Sequence, residues 1–196
     1  MKRSPEGPGR RIARWVWRIG VALAVLLLPP SVVQTQEVTE PALKAAFLVN
    51  IESFTEWPPD ALPASSPVNA CVVGDLRQAE ALERAGKGRG KSRRSVNVLR
   101  VQPDGPLQSC HMLYVSGLTT SQITAVLQAV QNAPVLTIGD ADDFRRLGGM
   151  LHLFVDTGRI AFNVNLYRAR QARLDLSSRL LGLAQHVHQG SGVPVQ

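Results

Sequence analysis

Val68-Asn69-Ala70-Cys71-Val72-Val73-Gly74-Asp75 is a short apolar run that breaks on a turn pair. Its length and its three valines read as a buried strand. Two later segments repeat the pattern: residues 112–115 run into Ser116-Gly117, and residues 135–138 into Gly139-Asp140. The intervals between them carry helical signals. Residues 78–85 form a short helix, and a Gly-rich basic loop at 86–92 leads into residues 96–101, which alternate as a second strand. Thr119 or Thr120 caps a further helix whose face is Ile123, Val126, Leu127 and Val130, with Pro134 beyond its end. Strands separated by helices imply an α/β fold, a mostly parallel doubly wound sheet with helices on both faces. The strand order expected for its first four members is 2-1-3-4.

Downstream, residues 141–147 suit a short helix stopped by Gly148-Gly149. Residues 151–155 and 160–164 flank Asp156-Thr157-Gly158-Arg159, a hairpin signal that adds an antiparallel edge. Leu176, Leu180, Leu183, Ala184 and Val187 then align as one stripe of a final helix ending at Gly190. Upstream, Thr39 can cap a helix with Pro41 in its first turn. Leu43, Phe47, Ile51 and Phe54 recur along it, Trp57 closes the run and Pro58-Pro59 ends it.

The charge is unevenly distributed. Of 22 Lys+Arg and 15 Asp+Glu, six basic residues and one acid (Glu6) fall in the first 35 positions. That segment carries +5 and the remaining 161 residues only +2. Its basic residues precede an apolar run, Val21 to Leu28, and then Pro29-Pro30 with small and polar residues. This is the order of a secretory signal, and the apolar run is shorter than the ~20 residues a membrane span needs. The expected organisation is a signal peptide over 1–35, one domain over 36–190 and a short tail over 191–196. The mature chain then has no integral membrane span; an uncleaved anchor is the competing reading of the same segment. The basic excess is therefore no argument for nucleic acid, and 5% aromatics offer no stacking platform for a single strand.

Cys71 and Cys110 are the two cysteines, and an even pair in an exported chain reads as a disulfide. In the order 2-1-3-4 their strands are neighbours; two buried free thiols are the alternative. Cys110-His111 resembles a catalytic dyad only on paper, since adjacent strand residues point to opposite faces. Ala85 to Ser92 meets a relaxed phosphate-loop pattern with Ala85 in place of its first glycine, but a helix precedes it and a strand follows, the reverse of a working loop. Asp140, Asp142 and Asp143 suit the first turn of a helix as well as a cation. The four histidines have no ligand spacing, and no nucleophile elbow or cofactor fingerprint occurs. No cofactor is expected. Glycines at three strand ends do suggest a cleft, where open parallel sheets bind ligands. Its candidate residues are Gly74, Asp75, Ser116, Gly139 and Asp140, although Gly and Asp are also ordinary turn residues.

Several segments together resemble the YfiR-like family of exported bacterial proteins. They are Lys44 to Asn50; Phe54-Thr55-Glu56-Trp57-Pro58; Val72-Val73-Gly74-Asp75; Cys110 to Ser116; Pro134 to Asp140; Phe144 through Gly148-Gly149-Met150; Phe162 to Leu166; and Leu176 to Leu181. The similarity spans about residues 40–188. It implies a periplasmic location in a Gram-negative bacterium and a regulator without enzymatic activity. It also implies that the chain binds the periplasmic part of an inner-membrane sensor or diguanylate cyclase, restrains it and lowers cyclic di-GMP output. Self-association, as a dimer, is a further implication. The basic loop at 86–94 departs from the family pattern and lies where partner choice would change. The partner-interface candidates are Phe47, Phe54 and Trp57 of the opening helix and Leu180, Leu183 and Val187 of the final one. The competing reading is that both stripes cover the sheet. A second hypothesis is a periplasmic receptor for a small solute at the strand-end cleft.

Overall fold

The computed structural model describes residues 39–87 and 94–190. The expected signal segment at 1–35, the centre of the basic loop at 88–93 and the tail at 191–196 lie outside the described residues.

Helix α1 (Glu40–Ile51) starts after Thr39, with Pro41 in its first turn, and passes through a 3-10 turn (Glu52–Phe54) into β1 (Thr55–Glu56). Then follow β2 (Val68–Gly74), α2 (Leu76–Lys87), β3 (Val96–Arg100), a 3-10 turn (Leu107–Ser109), β4 (Met112–Ser116) and α3 (Thr120–Ala129). Strand β5 (Leu136–Gly139) precedes β6 (Leu151–Asp156) and β7 (Arg159–Asn165). The chain continues through α4 (Leu166–Gln171), β8 (Asp175–Leu176), α5 (Ser178–Leu181) and β9 (His186–His188).

Seven strands form one sheet in the order β3-β2-β4-β5-β6-β7-β9, and β1 pairs with β8 in a separate antiparallel ribbon. The first five strands of the sheet are mutually parallel, β7 runs against β6, and β9 is parallel to β7. The first four strands thus take the expected order 2-1-3-4. Strand alternation sorts the core into two layers. Ala70, Val72, Met112, Tyr114, Leu136 and Ile138 pack with α1 and α2 on one face. Val73, Leu113 and Val115 meet Ile123, Val126 and Leu127 of α3 on the other. Helix α3 begins with a capping box in which Thr119 and Gln122 satisfy each other's backbone N–H groups.

Three segments differ from the sequence expectation. The hairpin turn has two residues, because Asp156 pairs with Arg159 and both Thr157 (φ 46°) and Gly158 (φ 76°) are left-handed. That geometry matches the twist of the flanking strands. Residues 141–147 are consecutive turns and not a helix. Phe144 is fully buried there between Gly139 and Gly149, and a β-carbon at either glycine would collide with its ring. Folding the ring inward closes the segment with the Gly149 N–H on the Phe144 carbonyl. Finally, the stripe from Leu176 to Val187 is not one helix. Leu176 pairs with Thr55, Ser177 caps α5 by accepting the Leu180 N–H, and Val187 lies beside Val164 in the sheet. Strand pairing at both ends overrides the helical period.

Candidate functional site

The carboxyl ends of β2, β4 and β5 lie side by side, with Gly74 opposite Ser116 and Val115 opposite Gly139. Gly74 has φ +96°, and a β-carbon there would strike the Ser116 carbonyl, so a side chain is excluded. Asp75 turns toward α2, where its Oδ1 accepts the N–H groups of Arg77 (2.8 Å) and Gln78 (3.4 Å). Asp140 turns inward. Its Oδ2 accepts from Lys44 Nζ at 2.6 Å, Tyr114 OH at 2.8 Å and Ser116 Oγ at 2.9 Å. The same ammonium lies 2.6 Å from Glu40 Oε1, one turn back on α1. Gln78 Nε2 donates to the Pro41 carbonyl and ties α2 to the same helix.

The strand-end crevice therefore holds the chain's own cation. Lys44 has only 9% of its side chain exposed and Asp140 17%. Burial works against the ammonium, but the hydrogen bonds and charges of Asp140 and Glu40 outweigh it and raise its pKa above the ordinary range. Burial first, and then the charge of Asp140, push the Tyr114 phenol far upward, so that it remains a donor. Ser116 and Asp140 are brought together as the sequence suggested; Asp75 serves as a helix cap. Lys44, Glu40 and Tyr114 are not among the site candidates the sequence suggests, although Lys44 and Tyr114 fall in segments that carry the family resemblance. The available signal was a lysine at i, i+4 and i+7 from Leu48 and Ile51, on the helix face that becomes buried.

The second polar centre is His111. Its Nδ1 accepts the Asn69 N–H at 2.9 Å, which assigns the proton to Nε2, and Nε2 donates to the Ala61 carbonyl at 3.2 Å. Trp57 Nε1 donates to the His111 carbonyl at 3.1 Å. Trp57 also lines a cavity of about 290 Å³ together with Glu52, Glu56, Leu62 and Arg94. Cys110 is joined to Cys71 in a buried disulfide and supplies no thiol to His111. Burial lowers the His111 pKa; the bond to Ala61 opposes this and the Arg94 charge adds to it. Burial also lowers the pKa of His152, against the charge of Asp142. A histidine held neutral in the fold takes up its proton first in the unfolded chain. Stability is then full above the unfolded value of about 6.5 and declines as pH falls below it. Thermal melts from pH 7.5 down to 5 should show this decline, and His111→Gln should flatten it. An identical slope in the variant would remove His111 from the account.

The remaining candidates are dispersed. Phe47, Phe54 and Trp57 are half-buried, with the Phe47 ring 5.0 Å from that of Phe162. Leu180 is buried at 2% exposure, Val187 is half-buried in β9, and Leu183 is 66% exposed. Asp143 pairs with Arg146 rather than capping a helix. Among the described residues, no group of three His, Cys, Asp or Glu side chains is placed to hold a metal ion. No helix among them is long and apolar enough to cross a membrane.

A family model described as YfiR/HmsC-like matches residues 41–185. No curated protein matches the chain. Among solved structures, a conserved domain protein from Vibrio cholerae O1 biovar eltor is similar at 14% identity with a TM-score of 0.54, covering 75% of this chain and 60% of that one. The ABC domain in complex with L-Trp from Streptococcus pneumonia has 12% identity and a TM-score of 0.49, with the same coverages. The chain thus spans about three-fifths of the length of each. The likeness to the Vibrio protein concerns the α/β fold alone.

Proposed function

The chain belongs to the YfiR/HmsC-like family, and from that premise we propose that it is a periplasmic, non-enzymatic regulator of cyclic di-GMP signalling. It binds the periplasmic part of an inner-membrane diguanylate cyclase and holds that protein in its restrained state by binding this state better than the active one. The observation that carries the reading is the family match across residues 41–185. The signal-like order of residues 1–35 and a disulfide, a bond at home in oxidising compartments, support the location.

For the partner surface we favour Leu183, with Phe47 and Trp57 as half-buried neighbours of the solvent. Leu183 is a large apolar side chain left two-thirds exposed just after α5, whereas Leu180 is committed to the core. The solute-receptor reading gains no support from the crevice, since Lys44 already occupies its acidic residue. Leu183→Asp should weaken retention of the cyclase from solubilised membranes by roughly tenfold or more, as for a hot-spot residue. The thermal melt should be unchanged. In cells the variant should raise cyclic di-GMP toward the level of a deletion strain. Full retention of the cyclase by Leu183→Asp, Phe47→Asp and Trp57→Ala alike would overturn this surface. Unaltered cyclic di-GMP on deletion of the gene would overturn the function.

A further inference from the structure

A cavity of about 160 Å³ lies beside β5 on the α3 side of the sheet, between the C-terminal half of α3, the turn from Leu147 to Met150 and Arg168 of α4. It shares no residue with the Asp140 crevice or the His111 centre. Arg168 is its one charged lining residue, and among the described residues no carboxylate lines it. Local bonds hold this cation in place. The Asn165 N–H bonds the Met150 carbonyl at 2.7 Å, and Asn165 Oδ1 accepts the Arg168 N–H at 3.1 Å, so the start of α4 is fixed to the turn. The guanidinium lies against Gly148, where a β-carbon would stand 3.5 Å from Nη2 and 3.6 Å from Nε. Nη1 donates to Gln171 Oε1 at 3.3 Å, and neither Nε nor Nη2 has an acceptor among the described residues. The second donor is Thr137 of β5, a side chain only 2% exposed. Its oxygen accepts the Met150 N–H at 3.1 Å, and its own proton has no acceptor among the described residues. A buried donor left unpaired is costly, so an acceptor placed in the cavity would recover that cost.

We infer that this cavity binds a small monocarboxylate with a short aliphatic chain, the carboxylate on Arg168 and Thr137 and the chain against Leu127, Val130, Leu147 and Met150. A guanidinium with two free N–H directions offers the planar fork that a carboxylate fits. A single cation beside apolar walls does not balance a tetrahedral dianion such as sulfate, whose second charge would enter the site unpaired. The walls account for the rest of the ligand. Leu127, Val130 and Met150 are buried, and what they still expose to the cavity is apolar surface that a hydrocarbon chain would cover. The volume sets the length. A void of about 150 Å³ accepts benzene, so this cavity suits about six heavy atoms, the size of butyrate. The site goes beyond the regulatory reading and is independent of it. Retention of the cyclase is assayed without added carboxylate and survives if the cavity binds none.

The test titrates the oxidised mature chain with acetate, propionate, butyrate and octanoate at constant ionic strength, followed by thermal melts and amide NMR spectra. Butyrate should raise the melting temperature and shift the amides of Leu127, Gly148 and Met150. Affinity should rise about three- to fourfold per methylene from acetate to butyrate, and fall at octanoate, whose chain exceeds the cavity. Arg168→Gln should weaken butyrate by about tenfold or more. It should leave the melt of the free protein unchanged, because the side chain makes one exposed bond. Thr124 lines the cavity from a half-buried position on α3 and bonds only the Thr120 carbonyl of its own helix. Thr124→Phe should therefore fill the space and abolish the response while the protein stays folded. Butylamine and sulfate should move neither readout. No response to any carboxylate up to about 50 mM, the weak limit for six heavy atoms, would overturn the inference. An Arg168→Gln response equal to wild type would do the same, as would butylamine or sulfate acting as strongly as butyrate.

Discussion

Replacing Cys71 and Cys110 together with alanine is expected to lower the unfolding free energy by about 4 kcal/mol. The two residues are 39 positions apart, and in the chain-entropy account a cross-link closing a loop of that length restricts the unfolded ensemble by this amount. The native side of the balance changes less. Both cysteines are almost fully buried, at 1% and 2% exposure, against Val73, Leu113 and Leu107, where an alanine leaves a small gap and no unpaired polar atom. Denaturant titrations of the wild type with and without reductant, and of the double variant, measure the effect. The reduced wild type and the variant should coincide. A loss below about 1 kcal/mol would mean that the unfolded chain is already constrained without the bond.

Asp140→Ala is expected to cost about 3–5 kcal/mol, the range for removing one partner from a buried ion pair. Three donors lose their shared acceptor at once: Lys44, Tyr114 and Ser116. Lys44 keeps only Glu40, whose side chain is 58% exposed and correspondingly screened. Lys44→Met should cost about half as much, because Asp140 retains two hydroxyl donors and the replacement still fills the helix–sheet gap. The double variant should be less destabilised than the sum of the two, with a coupling of about 1–3 kcal/mol. Urea unfolding at neutral pH provides all four corners of the cycle. Equal losses for the two single variants would contradict the three-donor arrangement at Asp140.

The parallel half of the fold was legible because β2, β4 and β5 are continuous apolar runs that end on glycine-containing turns, with the alternating β3 between helix and turn signals. Val68 to Gly74 reads as a strand from either side, and the neighbouring of its successors follows from chain connectivity alone. The disulfide was expected from an even cysteine pair in an exported chain, and the same ordering supported it over two free thiols. Where the reading failed, contacts distant in sequence decided the outcome. Phe144 is one apolar residue in a helix-compatible segment, and only the two glycines that flank its ring in space show why the segment coils instead. Residues 176–188 have a helical period that the pairing of Leu176 with Thr55 and of Val187 with Val164 defeats. At the strand ends the acidic residue was visible and its occupant was not. Lys44 and Asp140 are 96 positions apart, and a lysine on a helix ordinarily faces water.

The disulfide has one more consequence, for the integrity of the chain. Helix α2, the basic loop and strand β3 all lie between Cys71 and Cys110. A peptide bond cut anywhere in that interval therefore releases nothing: both pieces stay one covalent molecule for as long as the bond is oxidised. The stretch from Gly86 to Arg94, with the Lys and Arg residues after which trypsin-like proteases cut, is fenced inside this ring. A nicked molecule in an oxidising compartment would keep β3 tethered to the strands it pairs with, and would come apart only where thiols are reduced.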